Sequence, residues 1–271
     1  MVDGVRDARE SDAAAHGQAA YAVRLEWGPT GAAAVAEGAD IAIVVDVLSF
    51  TTTLTIAVAR GTRVFPFPWK DDRAAAYAQE RDAVLAVGRF ETARLERPLP
   101  SLSSARLLES EPVERLVLPS PNGSTICAAL AGTGVQVVGA SLRNRAAVAE
   151  WLAPRVRGGA KVALVAAGER WPDGSLRPAL EDLWGAGAVL AALAPLASAE
   201  AALSPEAQHA ASSYELVSSR LHDALHTCAS GQELAAAGFA DDVIASAAVD
   251  ADDVVPVLGD DGFATAGRLA G

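Results

Sequence analysis

The sequence predicts an α/β fold, with a mostly parallel or mixed sheet flanked by helices. Two nearly continuous apolar runs, IAIVVDV from Ile41 and KVALVAA from Lys161, are typical of strands buried on both faces. Other β-branched runs alternate with Ala-rich stretches of helical length, a pattern that indicates helices on both faces of a sheet. The chain has 271 residues, 51% of them hydrophobic, which is enough to form a large core.

This alternation predicts the following elements in chain order. The β-branched apolar runs predict strands at residues 41–47, 63–67, 83–87, 115–118, 135–139 and 161–166. The Ala-rich stretches after them predict helices at residues 52–60, 72–80, 125–131, 144–155, 181–194 and 205–229. Residues 1–20 are small and polar without a period, so we expect a flexible extension followed by one domain over residues 21–271. Residues 195–205 are the hinge candidate because Pro, Ser and Ala follow a helical stretch there.

Composition narrows the class of protein. With 22 basic and 34 acidic residues, the net charge of −12 gives no general attraction for nucleic acid or an anionic membrane. Two cysteines are too few for a disulfide framework, the first residues lack the apolar core of a signal peptide, and the apolar runs are too short to span a bilayer. We therefore expect a cytoplasmic protein without a nucleic-acid or membrane partner. Both a monomer and a homo-oligomer are compatible with the sequence.

Three junctions between a predicted strand and the following helix carry polar side chains. In VVDVLSFTTTLTIA, Asp46 lies near the end of the strand, and three hydroxyl residues, Ser49, Thr51 and Thr52, precede or open the helix. In LVLPSPNGSTICAAL, the corresponding residues are Ser120, Asn122, Gly123, Ser124 and Thr125. In the third, Glu169 follows the strand KVALVAA, while Glu181 and Asp182 open the next helix. Because ligands of parallel α/β sheets usually bind outside the carboxyl ends of the strands, we expect the junctions to converge.

The residue types at these junctions favour phosphoryl chemistry. Helix N-termini and hydroxyl groups bind anions such as phosphate or sulfonate, and carboxylates beside them favour Mg²⁺. Taken singly, Ser, Thr and Asn at helix starts are ordinary caps, and Glu181 and Asp182 could simply complement a helix dipole. Asp46 differs, because a carboxylate within an apolar strand run needs a buried partner or a function.

Several known catalytic and cofactor-binding motifs are absent or incomplete in this sequence. HDALH, from His222 to His226, lacks the Glu of the HExxH zinc motif, and GAGAVL lies within a predicted helix, where it favours close packing over dinucleotide binding. There is no GxxxxGK[ST] loop. Asp46 lacks the second Asp of the haloacid dehalogenase pattern, and Cys127 lacks the Arg of a cysteine phosphatase loop. Water activated by a metal is therefore the simpler nucleophile.

At these residues the sequence resembles the 2-phosphosulfolactate phosphatase family, often called ComB-like. The matching segments are VVDVLSFTTT with ARG after it, SPNGST, AAGE, LEDLWGAGAV, residues 214–237 with SGQEL, and GFADDVIASAAVD followed by VVP. The resemblance implies a ComB-like α/β fold and Mg²⁺-dependent hydrolysis of 2-phospho-3-sulfolactate to 3-sulfolactate and phosphate, a step toward coenzyme M. It also implies roles for the matching residues. Asp46, Glu169, Glu181 and Asp182 are metal-binding or water-activating candidates, with Asp46 and Glu169 favoured as catalytic acid/base, and the anion pocket would be lined by Ser49, Thr51, Thr52, Asn122, Gly123, Ser124 and Thr125.

One departure concerns the first junction. The family turn often reads DVLRATTT, whereas Ser49 and Phe50 stand here in place of Arg and Ala. The replacement cation is expected from Arg143, Arg145, Arg170 or Arg177. Two alternatives stay open: a phosphatase for another phosphorylated hydroxy acid, and a noncatalytic anion-binding protein on the same scaffold.

Overall fold

A computed structural model describes residues 12–68, 73–89, 100–197 and 202–267. Within these residues, a mixed sheet of nine strands is flanked by eleven α-helices. The predicted α/β class, with a mostly parallel or mixed sheet, is confirmed.

The strands fall into one large sheet and one small one. They are β1 (Val23–Trp27), β2 (Ile41–Val45), β3 (Arg63–Pro68), β4 (Val84–Leu85), β5 (Arg115–Ser120), β6 (Gln136–Ala140), β7 (Val162–Ala166), β8 (Glu169–Arg170), β9 (Leu176–Arg177), β10 (Pro256–Gly259) and β11 (Gly262–Thr265). The large sheet has the order β1-β7-β2-β6-β10-β11-β3-β5-β4, and β8 pairs with β9. Strands β1, β7, β2 and β6 are parallel to one another, as are β3, β5 and β4. The antiparallel hairpin β10–β11 joins these two parts.

The helices cover both faces of the sheet. They are α1 (Gly28–Ala36), α2 (Phe50–Ala59), α3 (Ala74–Glu80), α4 (Ser104–Glu109), α5 (Gly123–Leu130), α6 (Arg145–Arg157), α7 (Leu180–Leu193), α8 (Pro205–Val217), α9 (Leu221–Thr227), α10 (Ala229–Ala236) and α11 (Ala240–Ser246). Helix α2 contacts both β6 and β3, and α5 contacts both β2 and β3. Both helices therefore bridge the two parallel parts of the sheet.

Strand β2 lies at the centre of the core, as its apolar run predicts. Ile41, Ile43 and Val45 face a cluster formed with α6, α7 and α8, while Ala42 and Val44 face a second cluster formed with α1, α2 and α5. All five residues are buried. Both faces of β2 are covered by apolar side chains, and Asp46 is the first polar residue after the carboxyl end of the strand.

The predicted elements are present with shifted ends, and the largest difference lies in the C-terminal third. The helix predicted at residues 205–229 is divided, because Ser218–Arg220 form a 3₁₀ turn and Cys228 is extended between α9 and α10. Strand β1, the helices α1, α4 and α11, and the hairpins β8–β9 and β10–β11 were not predicted. Residue 72, the first of the helix predicted at 72–80, and residues 198–201 of the hinge predicted at 195–205 lie outside the described residues.

The N-terminal region is described from residue 12 onward. Gln18 is buried, its side-chain amide donates to the Leu25 carbonyl at 2.7 Å, and its oxygen accepts from the Leu25 N–H at 3.1 Å. This part of the predicted extension is thus anchored to β1. No helix in the described ranges is both long and apolar enough to cross a membrane.

Candidate active site

The Asp46 carboxylate lies at the N-termini of two helices. Its Oδ1 accepts a hydrogen bond from the Phe50 N–H at 3.1 Å, and its Oδ2 accepts one from the Gly123 N–H at 2.8 Å. Phe50 and Gly123 are the first residues of α2 and α5, whose exposed N–H groups and positive dipole ends favour an anion. Burial raises the pKa of Asp46, while these two N–H groups act in the opposite direction. Two of the three predicted junctions therefore meet at one carboxylate.

Gly123 is required by the closeness of this contact. A Cβ at this position would lie 2.6 Å from Cδ1 of Phe50 and 2.7 Å from Oδ2 of Asp46. Contacts this short are well inside the normal separation of about 3.5–4 Å between nonbonded carbon atoms. The absence of a side chain lets the start of α5 approach the carboxylate.

A cavity of about 320 Å³ opens beside Asp46, and we call it the Asp46 cavity. Four of the predicted site residues line it: Asp46, Ser49, Asn122 and Glu169. The remaining described lining residues are Leu48, Gly88, Arg89, Leu102, Ser120 and Pro121. All three predicted junctions contribute to the lining, so their convergence is confirmed.

Glu169 is the first residue of β8, and its side chain lines the cavity. Its Oε2 accepts a hydrogen bond from Nδ2 of Asn122 at 2.9 Å. Burial, followed by repulsion from the Asp46 carboxylate, raises the pKa of Glu169 to about 7. A carboxyl group with this pKa can both accept and release a proton near neutral pH.

Asp182 and Glu181 are buried in the first turn of α7 and do not belong to the described cavity lining. Oδ1 of Asp182 accepts from the Val47 N–H at 2.7 Å, and Oδ2 accepts from the Gly168 N–H at 2.8 Å. Asp182 thus connects the first and third junctions. Burial, and after it the Asp46 charge, raises the pKa of Asp182 well above its ordinary value. Glu181 accepts a contact at 3.4 Å from the thiol of Cys228.

The other predicted anion-pocket hydroxyls bond to the backbone. The hydroxyls of Thr51 and Thr52 donate to the carbonyls of Asp46 and Val47, both at 2.8 Å. Ser124 donates to the Phe67 carbonyl at 2.8 Å, and Thr125 donates to the Ser120 carbonyl at 3.1 Å. These bonds fix the turns between strand and helix, and none of the four residues is among the described lining of the cavity.

Among the described residues, the cation that lines the cavity is Arg89, which the sequence pattern did not indicate. Its NH2 donates to Oγ of Ser49 at 2.5 Å, so a guanidinium group reaches the position where the family turn carries Arg. None of the four expected arginines is among the described lining residues: Arg143 pairs with Asp252, Arg145 with Asp250, Arg177 with Glu233, and Arg170 donates to the carbonyls of Pro121 and Gly174. Arg177 does lie opposite Glu169 in the β8–β9 hairpin, where its charge acts to lower the pKa of Glu169. The missed signal is that Gly88 and Arg89 follow a predicted strand, as the other junctions do.

The motifs set aside in the sequence have structural roles. His222 and His226 lie on the exposed face of α9, as expected for a solvated helix face. Gly185, in GAGAVL, lies within α7 against β2, and a Cβ there would come 2.8 Å from Cγ1 of Val45. The interpretation as close helix packing is therefore confirmed. Cys127 is buried in α5, where burial raises the pKa of its thiol.

The carboxylates of the site suit a metal that keeps other ligands. Across the ranges that the structure describes, no group of three His, Cys, Asp or Glu side chains forms a metal cage. Asp46 and Glu169 do line one cavity, and repulsion from the Asp46 charge contributes to the raised pKa of Glu169. Mg²⁺ commonly binds one or two carboxylates together with water and substrate phosphate oxygens. The donor set fits this mode of binding and not an all-protein cage.

Fold and site together define an α/β protein with a polar cavity lined by residues that follow the ends of its strands. The family model for 2-phosphosulpholactate phosphatase matches residues 31–261. The chain belongs to this family and is a phosphoric monoester hydrolase. No curated protein matches it.

Proposed function

We propose that this phosphatase hydrolyses 2-phospho-3-sulfolactate to 3-sulfolactate and phosphate, with Mg²⁺ as its cofactor. The family match supports the reaction class. The observation that carries the proposal is the Asp46 cavity, where two carboxylates, an amide and a guanidinium surround about 320 Å³. Since a water molecule occupies about 30 Å³ in the liquid, this volume suits a small ester of the size of a phosphorylated hydroxy acid.

In this proposal Asp46 and Glu169 hold the metal, and Glu181 and Asp182 support them from the first turn of α7. When bound, Mg²⁺ would offset the charge of the phosphoryl oxygens and lower the pKa of water. This arrangement would also relieve the repulsion that raises the pKa of Glu169. The two carboxylates are consistent with the preference of Mg²⁺ for hard oxygen ligands.

The side chains of the cavity have distinct proposed tasks in hydrolysis. Asn122 orients the Glu169 carboxylate through its 2.9 Å hydrogen bond, so that Glu169 can accept a proton from the attacking water. The water oxygen forms a bond to phosphorus and gives a proton to Glu169, the bond between phosphorus and the ester oxygen breaks, and the departing alcohol oxygen takes that proton from Glu169. Asp46 stays fixed by the Phe50 and Gly123 N–H groups throughout. No protein nucleophile is needed.

The predicted anion-pocket residues divide into two proposed groups. Ser49 and Asn122 line the cavity and can contact substrate directly. Thr51, Thr52, Gly123, Ser124 and Thr125 hold the cavity walls through backbone contacts, and their replacement would act through the position of Asp46.

One feature of the sequence favours a second candidate. Ser49 and Phe50 replace the Arg and Ala of the family turn, which alters the groups around the substrate. A phosphatase for a different phosphorylated hydroxy acid, or a noncatalytic anion-binding protein, would fit this change. The hydrogen bond from Arg89 to Ser49 places a guanidinium group beside the cavity, which favours an anion site under each of these alternatives.

Phosphate release from a panel of substrates tests the proposal. The panel contains 2-phosphosulfolactate, 2-phospholactate and 2-phosphoglycerate, each with Mg²⁺ and after EDTA treatment. We expect the highest kcat/KM for 2-phosphosulfolactate, loss of activity in EDTA and recovery when Mg²⁺ is added back. A different preferred substrate would support the second phosphatase candidate. Calorimetric binding of these anions without turnover would instead support the noncatalytic one.

A further inference from the structure

The Asp46 cavity has walls of opposite charge. Asp46 and Glu169 contribute carboxylates, whereas Arg89 is the only positively charged side chain among the described residues that line it. The proposed substrate carries a carboxylate and a sulfonate besides its phosphate, so a second acidic group must share one small space with the phosphate. The carboxylate wall repels an anion that has no metal beside it, so the second acidic group is drawn toward the guanidinium.

Arg89 is held from a distant part of the chain. Its Nε forms an ion pair with Oδ2 of Asp242 at 3.0 Å, and its guanidinium lies 5.6 Å from the ring centroid of Phe239. The Asp242 side chain is 1% exposed and Arg89 is 13% exposed, so the pair is largely shielded from solvent. Buried charge pairs of this kind keep a fixed geometry because breaking them leaves an uncompensated charge.

Asp242 is itself fixed by a second element. Its Oδ1 accepts hydrogen bonds from Oγ of Ser103 at 2.5 Å and from the Ala105 N–H at 3.0 Å. These residues lie at the start of α4, whereas Asp242 lies in the first turn of α11. Helix α11 is therefore linked to the cavity through the Asp242 carboxylate, which holds the Arg89 guanidinium near Ser49.

We propose that Arg89 binds the second acidic group of the substrate, a sulfonate or carboxylate, and that Asp242 is the positioning residue for Arg89. The inference rests on the proposed function and makes it more specific. The phosphoryl group lies toward Asp46 and Glu169, and the enzyme selects phosphomonoesters that carry a second anion close to the ester carbon. Arginine suits this task because its planar guanidinium matches the oxygens of a carboxylate or sulfonate.

The test compares Arg89→Gln with the matched control Arg145→Gln. Arg145 also forms an ion pair, 2.9 Å from Asp250, and lies 5.6 Å from the ring centroid of Tyr214, but it does not line the cavity. Kinetics are measured on 2-phosphosulfolactate, on 2-phospholactate without the sulfonate, and on isopropyl phosphate without any second acidic group. For Arg89→Gln we expect KM for 2-phosphosulfolactate to rise at least tenfold, with kcat changed less and kcat/KM for isopropyl phosphate within twofold of wild type. Arg145→Gln should resemble wild type on all three.

Two results would overturn the assignment of Arg89. An equal loss on all three substrates would place Arg89 at the phosphoryl group or in the fold, and unchanged kinetics would remove it from substrate binding. Asp242→Asn should give the same KM effect on 2-phosphosulfolactate in weaker form and leave isopropyl phosphate unaffected. A loss on isopropyl phosphate as well would make Asp242 structural.

Calorimetry with 3-sulfolactate separates this inference from the proposed function. The ligand carries the sulfonate and carboxylate but no phosphate, so its binding does not depend on turnover. We expect Arg89→Gln to weaken binding at least tenfold, even if wild type proves inactive on phosphosulfolactate. Equal affinity of wild type and Arg89→Gln for 3-sulfolactate would contradict the inference whatever the kinetics show.

Discussion

Replacing Gly123 with Ala tests how closely the start of α5 must approach Asp46. The new methyl group would lie 2.6 Å from Phe50 Cδ1, 2.7 Å from Asp46 Oδ2 and 2.8 Å from Asp46 Cβ. Relief of these contacts requires movement of about 1 Å, because nonbonded carbon atoms normally stay about 3.5–4 Å apart. Phe50 is fully buried, and the carboxylate also accepts from the Phe50 N–H, so neither neighbour can move alone.

The size of the effect follows from these contacts. Overpacking a dense core costs about 1–3 kcal/mol, and we expect a loss near 2 kcal/mol in the free energy of unfolding. For a domain of this size that corresponds to a fall in Tm of roughly 4–8 °C. A displacement of about 1 Å at a catalytic group can lower the rate about 100-fold, so kcat should fall by one to two orders of magnitude.

Gly132→Ala is the matched control. No atom lies within 4 Å of a Cβ built at Gly132, in the turn that follows α5. This variant should keep wild-type kcat and a free energy of unfolding within about 0.5 kcal/mol of wild type. Thermal unfolding by circular dichroism and phosphate release with Mg²⁺ measure both effects. If Gly123→Ala keeps its Tm and its kcat within twofold of wild type, the close contact with Asp46 has no functional importance.

Three further predictions concern the buried carboxylates. Asp182→Ala leaves the Val47 and Gly168 N–H groups without their acceptor, so urea denaturation should show a loss of about 2–4 kcal/mol; an unchanged midpoint would contradict this. The pKa of Glu169 rises from 4.5 to about 7 on folding, so the native state binds this proton more tightly than the unfolded chain does. Metal-free wild type should therefore lose stability relative to Glu169→Gln as the pH rises from about 5 to 8. The change in the stability difference between the two proteins should approach roughly 3 kcal/mol over this range. A stability difference that does not depend on pH would show that the pKa of Glu169 is not raised in the folded protein. Mg²⁺ should raise the Tm of wild type more at pH 8 than at pH 5, because protons compete for the same carboxylate; equal shifts would indicate binding elsewhere.

The convergence of the three junctions was predictable because it depends on the hydrophobic pattern. Strand β2 consists of apolar residues buried on both faces, so a carboxylate directly after it is expected at the carboxyl end of the sheet. The same argument applied to Glu169 after β7 and to Asn122 after β5. Chain pattern alone was enough to place Asp46, Asn122 and Glu169 around one cavity.

The role of each hydroxyl was not predictable from the pattern. Thr51 and Thr52 precede a helix in a way that is typical of both caps and anion sites, yet both hydroxyls return to carbonyls of the preceding turn. Ser49, in the same turn, lines the cavity instead. The direction of a side chain depends on local backbone geometry, which residue type does not specify.

Long-range ion pairing explains the missed cation. Arg89 is held by Asp242 and Phe239, more than 140 residues further along the chain, and it follows a strand of only two residues. The β10–β11 hairpin, in contrast, could have been predicted from the sequence. Gly259 pairs with Gly262, which leaves a two-residue turn at Asp260 and Asp261 between two short apolar runs.

Phosphate release from 2-phosphosulfolactate measures directly whether Asp46 takes part in the reaction. Wild type, Asp46→Asn and the exposed control Asp223→Asn are assayed with Mg²⁺, after circular dichroism has verified that each variant is folded. We expect Asp46→Asn to lose at least about 1000-fold in kcat, because a neutral amide would hold Mg²⁺ far less well than the carboxylate, while Asp223→Asn keeps wild-type activity. A folded Asp46→Asn variant that releases phosphate at the wild-type rate would show that the Asp46 cavity is not the active site.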